Sequence, residues 1–152
     1  MPVLLHFLLL FHFLFSPFQQ KTPTSGKLVF TIANLENSTG HVFIALFNNQ
    51  EGFPSEGRKA MKNAKTLIVN KKATFVFQDL PYGYYAATTY HDENDNNKLE
   101  TNILGIPKEG VGASNMRNIL MGAPRFEMSK FKHQTQETHV TLTMIYDIFK
   151  LI

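Results

Sequence analysis

From Lys27 to Tyr146 the chain consists of short stretches of alternating apolar and polar side chains, each ended by residues that break regular backbone. A period of two marks strands with one buried face, because successive strand side chains point to opposite faces. Lys27–Asn34 places Leu28, Phe30 and Ile32 on one face, and turn formers fill Asn34–Gly40. His41–Asn48 sets Val42, Ile44 and Leu46 against Phe43, Ala45 and Phe47, so both faces are apolar, as in a central strand. Asn49–Lys62, with Gly52, Pro54 and Gly57, reads as an excursion holding one helical turn near Arg58–Asn63. Lys65–Asn70 and Ala73–Asp79 are expected to form a hairpin across Asn70-Lys71-Lys72. Leu80-Pro81-Tyr82-Gly83 is a tight turn, with Pro81 fixing φ and Gly83 free to take a positive φ. Strands at Tyr84–His91 and Thr138–Tyr146 complete the set. Six or seven short strands separated by Gly/Pro turns specify an all-β chain folded as one β-sandwich. Asp92–Gln136 forms a long excursion before the last strand. Its apolar residues, among them Ile103, Leu104, Ile106, Ile119, Leu120, Phe126 and Phe131, imply a segment packed over the sandwich.

The ends divide from this domain by composition. Val3–Phe15 is almost wholly apolar and carries no Lys, Arg, Asp or Glu. It is shorter than the ~20 residues a spanning helix needs, and its length suits the apolar region of an export signal. Residues 1–20 therefore read as a signal peptide with a break near Ser16–Gln20, and an uncleaved membrane anchor is the competing reading. The linker is 21–26, the sandwich 27–147 and a tail 148–152. The formal charge of +3 lies wholly from Lys21 onward and is scattered, which argues against nucleic-acid binding. With no cysteine, the chain has no disulfides, thiolate metal sites, Cys nucleophile or lipid-modified Cys.

The segment richest in chemistry is His91–Asn102, HDENDNNKLETN. Asp92, Asn94 and Asn96 recur at alternate positions, then Lys98 and Glu100. Ca²⁺ takes six to eight oxygens, and oxygen side chains at every second residue of a tight loop supply several. The candidate ligands are the side chains of Asp92, Asn94, Asn96 and Glu100 and the carbonyl of Lys98. The spacing follows an EF-hand-type loop but lacks its Gly at position 6, and Ile103 stands where a bidentate Glu belongs. The neutral Asn ligands imply weak affinity, about 10⁻⁴–10⁻³ M. The competing reading is a turn whose Asp and Asn side chains bond their own backbone. Asp92, Glu93 and Glu100 also offer a carboxylate pair for glycoside or other hydrolysis. Those three and Asp95, four acids on one loop, are more simply a solvated or cation-binding cluster. Ser114 and Ser129 lack a nucleophile motif. His41, His91, His133 and His139 lack zinc-site spacing and read as satisfied surface histidines. Tyr82, Tyr84, Tyr85 and Tyr90 divide between core and outer face. Gly105–Gly112 is no phosphate cradle.

Phe75–Tyr85, FVFQDLPYGYY, resembles the Leu-Pro-x-Gly-x-Tyr corner of prealbumin-like and carboxypeptidase-regulatory sandwiches. With His91-Asp92-Glu93-Asn94, Lys98–Asn102, Gly105–Gly110 and Ala123–Glu127, the chain from Gly26 to about Tyr146 closely resembles domain-of-unknown-function family 2141, a family of small exported bacterial proteins. The resemblance implies an exported prealbumin-like sandwich and no assigned activity. This chain departs from it at Asp95 and Asn97, where the family tends to have Gly, and at Glu100, where it usually has Asp. Asn97 must then supply any left-handed turn, which Asn tolerates. The expected function is a non-enzymatic binding or structural module of the bacterial envelope, periplasmic or extracellular. Its ligand, its envelope partner and its oligomeric state are not legible. Contact with a membrane follows only if the N-terminal segment is retained.

Overall fold

The computed structural model describes residues 22–116 and 122–146, so the expected signal peptide (1–20), the expected tail (148–152) and Ile119-Leu120 lie outside the described residues. The described strands are β1 (Ser25–Ala33), β2 (His41–Phe47), β3 (Lys62–Leu67), β4 (Ala73–Pro81), β5 (Gly83–Asp92), β6 (Val111–Ala113), β7 (Phe131–His133) and β8 (Glu137–Thr143). A four-residue helix, α1 (Phe126–Ser129), precedes β7. One sheet has the order β4-β1-β8 and the other β3-β2-β5-β6, with β7 also paired to β5. The fold is the expected all-β sandwich, with eight described strands where the alternation marked six or seven.

The inner faces are the ones the alternation selects. Leu28, Phe30 and Ile32 of β1 face Val42, Ile44 and Leu46 of β2, joined by Phe75, Tyr85, Ala87 and Leu142 in one buried cluster. Each Leu, Ile, Val or Phe side chain among them withdrawn from water stabilises the fold by about 1.5–3 kcal/mol. β2 is central, between β3 and β5. Its second apolar face is used too. Phe43 stacks on Tyr90 at 4.8 Å with the Lys65 ammonium over the Phe43 ring. Phe47 joins Ala86, Phe126 and Phe53 in a smaller cluster under the 49–60 excursion.

Several local expectations are corrected. Asn70-Lys71 does form a two-residue turn, with φ of 51° and 57° and Val69 and Lys72 exchanging both backbone hydrogen bonds. The strands it joins belong to different sheets, however, because β3 pairs with β2 and β4 with β1. The positive φ near the Leu-Pro corner falls on Asp79 at 55°, not on Gly83. There β4 bulges against β1, with Gly26 opposite Leu80 and Leu28 opposite Phe77. The corner carries the chain between sheets, and the Tyr85 hydroxyl locks it by donating to the Pro81 carbonyl at 2.7 Å. The helical turn is a 3₁₀ turn at Gly57–Lys59, and β3 begins earlier than expected. The excursion carries β6 and β7, three residues each and too short to show a period. The last strand ends at Thr143, beyond which Ile145 bridges to Val111 across the two sheets. Pairing of β1 with β8 is parallel, from Lys27 opposite Glu137 to Ala33 opposite Thr143.

Candidate functional site

β2 and β5 run antiparallel, with His41 opposite Asp92 and Phe47 opposite Ala86. The Asp92 end of β5 therefore lies beside the start of β2, and the loop of residues 92–109 stands at that end of the larger sheet. Asp92 is fully buried. Its two carboxylate oxygens accept the backbone N–H groups of Asn96 at 3.1 Å and Asn97 at 2.8 Å. The Asn94 amide oxygen also accepts the Asn96 N–H, at 3.1 Å, and the Asn96 oxygen accepts the Lys98 N–H at 2.8 Å. The Asn96 amide donates to Glu100 at 3.2 Å. Asn97 takes φ of 61°, the left-handed turn required of it in place of Gly, and Asp95 takes 59°. The Asp95 carboxylate contacts the ring of His41. The five candidate Ca²⁺ ligands thus sit on one turn, and the Asp92, Asn94 and Asn96 oxygens each hold a backbone amide.

The base of the loop is clasped by a residue that the spacing did not single out. Glu109 is 7% exposed, and its two oxygens accept the N–H of Glu93 at 3.2 Å and of Glu100 at 3.0 Å. Beyond it the chain forms a short hairpin, with Asn102 N–H to the Ile106 carbonyl and Lys108 N–H to the Glu100 carbonyl, both 2.9 Å. The Asn102 side-chain oxygen accepts the N–H groups of Leu104 and Ile106. Glu109 and Asn102 fall within the segments that carry the family resemblance, which was the available signal.

His91 corrects the surface-histidine expectation, since it is completely buried. Its Nε2 lies 2.7 Å from the Thr39 carbonyl and its Nδ1 2.6 Å from the Tyr146 hydroxyl. A carbonyl can only accept, so Nε2 carries the proton and Nδ1 accepts from Tyr146. Burial pushes the Tyr146 hydroxyl up to about 12, with Glu93 and Glu36 adding to the rise and the Glu36 N–H opposing it. Burial beside Asp92 and Glu109 takes Tyr90 to about 12 as well. His133 is also buried, edge-on to Tyr82, while His139 is exposed beside Glu137. Of the tyrosines, Tyr85 is in the core and Tyr84 is on the surface.

The acids of the hydrolytic reading each accept hydrogen bonds from the chain. Asp92 is capped by amides, Glu93 accepts from Asn37 at 3.1 Å, and Glu100 accepts from Asn96. Among the described residues no three His, Asp or Glu side chains converge closely enough to hold an ion by themselves. No described helix is long and apolar enough to cross a membrane. At the opposite end of the sheet an open groove is lined by Phe53, Pro54, Ala123, Pro124, Phe126 and Met128, with Gln50, Glu51, Arg125 and Glu127 completing it.

No curated protein matches the chain in sequence. A solved fimbrial assembly protein from Parabacteroides distasonis is similar over 80% of this chain and 53% of its own, with 10% identity and a TM-score of 0.44. The chain thus spans about half of that protein's length. A family profile described as "uncharacterized protein conserved in bacteria" matches residues 30–141, from the second half of β1 to β8 and including the whole 92–109 loop. The chain belongs to this bacterial family, domain-of-unknown-function family 2141.

Proposed function

We propose that this protein is an exported, non-enzymatic module of the bacterial envelope that binds or scaffolds through the loop end of its larger sheet. One observation carries the reading: the polar side chains at that end are spent on backbone. The oxygens of Asp92, Asn94, Asn96, Asn102 and Glu109 all accept main-chain N–H groups, which makes a rigid projection built for contact. Export is supported by the apolar Val3–Phe15 segment.

Ca²⁺ on Asp92, Asn94, Asn96, the Lys98 carbonyl and Glu100 belongs to the same reading. The left-handed Asn97 gives the turn the bend that such loops take at their sixth position. A carboxylate or amide oxygen that accepts one N–H keeps a lone pair for a cation. The ion would reinforce a turn that already stands, so its contribution is modest. At tenfold over Kd it is about 1.4 kcal/mol.

The test is a thermal melt of the full chain with about 10 mM Ca²⁺ and with chelator, on the parent and on Glu100→Gln. An upward shift in the parent that shrinks in the variant is expected. No shift in the parent would remove the ion and leave the binding module. Hydrolysis of a polysaccharide or peptide, lost in Glu100→Gln and Asp92→Asn variants that still fold, would overturn the non-enzymatic reading.

A further inference from the structure

We propose that the free edge of β3 takes up an extended acidic segment of another protein as an added strand. β3 ends the larger sheet, and among the described residues it pairs only with β2. In an antiparallel pair every second residue turns its N–H and C=O away from the neighbouring strand. β3 therefore presents a row of unpaired backbone groups along its six residues, a template for a further strand. The side chains keep the same alternation past its end. Ala64 packs on the core and Ile68 belongs to it, whereas Lys65, Leu67 and Val69 are exposed, the last two at 65% and 67%.

Charge names the partner. Between Gly57 and Gln78 the chain carries six Lys and Arg and no Asp or Glu. The whole chain is +3, so everything else sums to −3. The fold strings these cations along the edge, with Arg58 in the 3₁₀ turn before β3, Lys62 and Lys65 on it, and Lys71 and Lys72 at the turn after it. Lys59 is held by Glu51 and Glu56. Among the described residues the other five have no ion-pair partner. The Lys65 ammonium donates instead to the neutral Asn97 amide oxygen at 2.8 Å and lies over the Phe43 ring. Asp95, two residues before Asn97, is engaged by the His41 ring. Lysines on an edge guard a sheet against self-pairing, and a second copy laid along β3 would meet like charges. An acidic strand converts the same residues into cross-strand pairs, with a carboxylate opposite Lys65 and an aliphatic side chain opposite Leu67 on one face.

The probe is a labelled, capped peptide repeating Val-Thr-Glu over about nine residues. In antiparallel register it sets Glu opposite Lys62 and Lys65, and Val opposite Ala64 and Leu67. Fluorescence anisotropy with the full chain should show binding that weakens as salt rises. Lys62→Glu combined with Lys65→Glu should weaken it about tenfold or more, while Lys132→Glu, at an exposed position on β7, changes it less than about twofold. Lys62→Gln with Lys65→Gln, expected to weaken binding about threefold, serves should the reversed pair fail to fold. The β3 amides should gain exchange protection on binding. The peptide N-methylated at two adjacent central residues should not bind, because neither of its edges can then pair fully. No binding at about 1 mM peptide overturns the proposal, as does equal binding of a Val-Thr-Lys repeat. An N-methylated peptide that binds as tightly as its parent overturns the strand addition. Phosphatidylglycerol vesicles retained through Lys62 and Lys65, with no binding of the peptide, would replace the acidic segment by a lipid surface.

Discussion

Replacing Glu109 by alanine tests whether the loop end is held as the geometry implies. Its carboxylate is almost wholly buried and takes two backbone N–H groups, from Glu93 and Glu100, sixteen and nine residues away in sequence. A hydrogen bond to a charged acceptor contributes about 1.5–3 kcal/mol, and both are lost together. The freed amides lie near the loop surface and recover part of that from water, so the expected cost of Glu109→Ala is about 3 kcal/mol. For a domain of this size that lowers the melting midpoint by roughly 10 °C. Glu109→Gln keeps one acceptor but turns an NH₂ towards the other amide, so it should lose about half as much. Circular dichroism melts of parent, Gln and Ala variants measure the series, with the exposed Glu127→Ala expected to change stability by no more than about 0.5 kcal/mol. Amide exchange supplies the local readout. The N–H groups of Glu93 and Glu100 should lose protection in Glu109→Ala, while those linking β1 to β8 keep theirs. An Ala variant melting within about 2 °C of the parent, with both amides still protected, would refute the clasp.

Three further outcomes are expected. Lys71→Gly relieves a left-handed non-glycine residue, φ 57°, in the two-residue turn and should stabilise the fold by about 1 kcal/mol in a urea titration. Gly110→Ala places a Cβ 2.4 Å from the Tyr146 ring, so it should cost about 1–3 kcal/mol and shift the His91 ring resonances as the Tyr146 hydroxyl is pushed away. Tyr146 titrates near 12 instead of its usual 10, so its contribution is whole below pH 10 and fades as pH climbs through 12. Tyr146→Phe should flatten the alkaline fall in stability, read as denaturant midpoints at about pH 9 and about pH 11.

The site was partly legible because some of it is local. Asp92, Asn94 and Asn96 bond to amides two to five residues ahead, a reach that spacing alone exposes. The left-handed turn at Asn97 followed for the same reason. His91 was misread as a surface residue because its partners, Thr39 and Tyr146, lie 52 and 55 residues away. Glu109 escaped notice because a single acid in a Gly- and Lys-containing segment is indistinguishable from a solvated one until the loop folds back onto it.

The sequence by itself determined the faces. A period of two is written residue by residue, so Leu28-Phe30-Ile32 and Val42-Ile44-Leu46 could be assigned to the core, and an all-β sandwich inferred, without knowing which strand neighbours which. Only the tertiary structure decided the partnerships. Asn70-Lys71 and the Pro81 corner both read as turns between adjacent strands, yet each moves the chain from one sheet to the other. A turn's dihedral angles are set by two or three residues. Whether the flanking strands then stay together depends on the apolar area each can bury against distant segments, and that sum exists only once β1, β2 and β5 have been brought side by side.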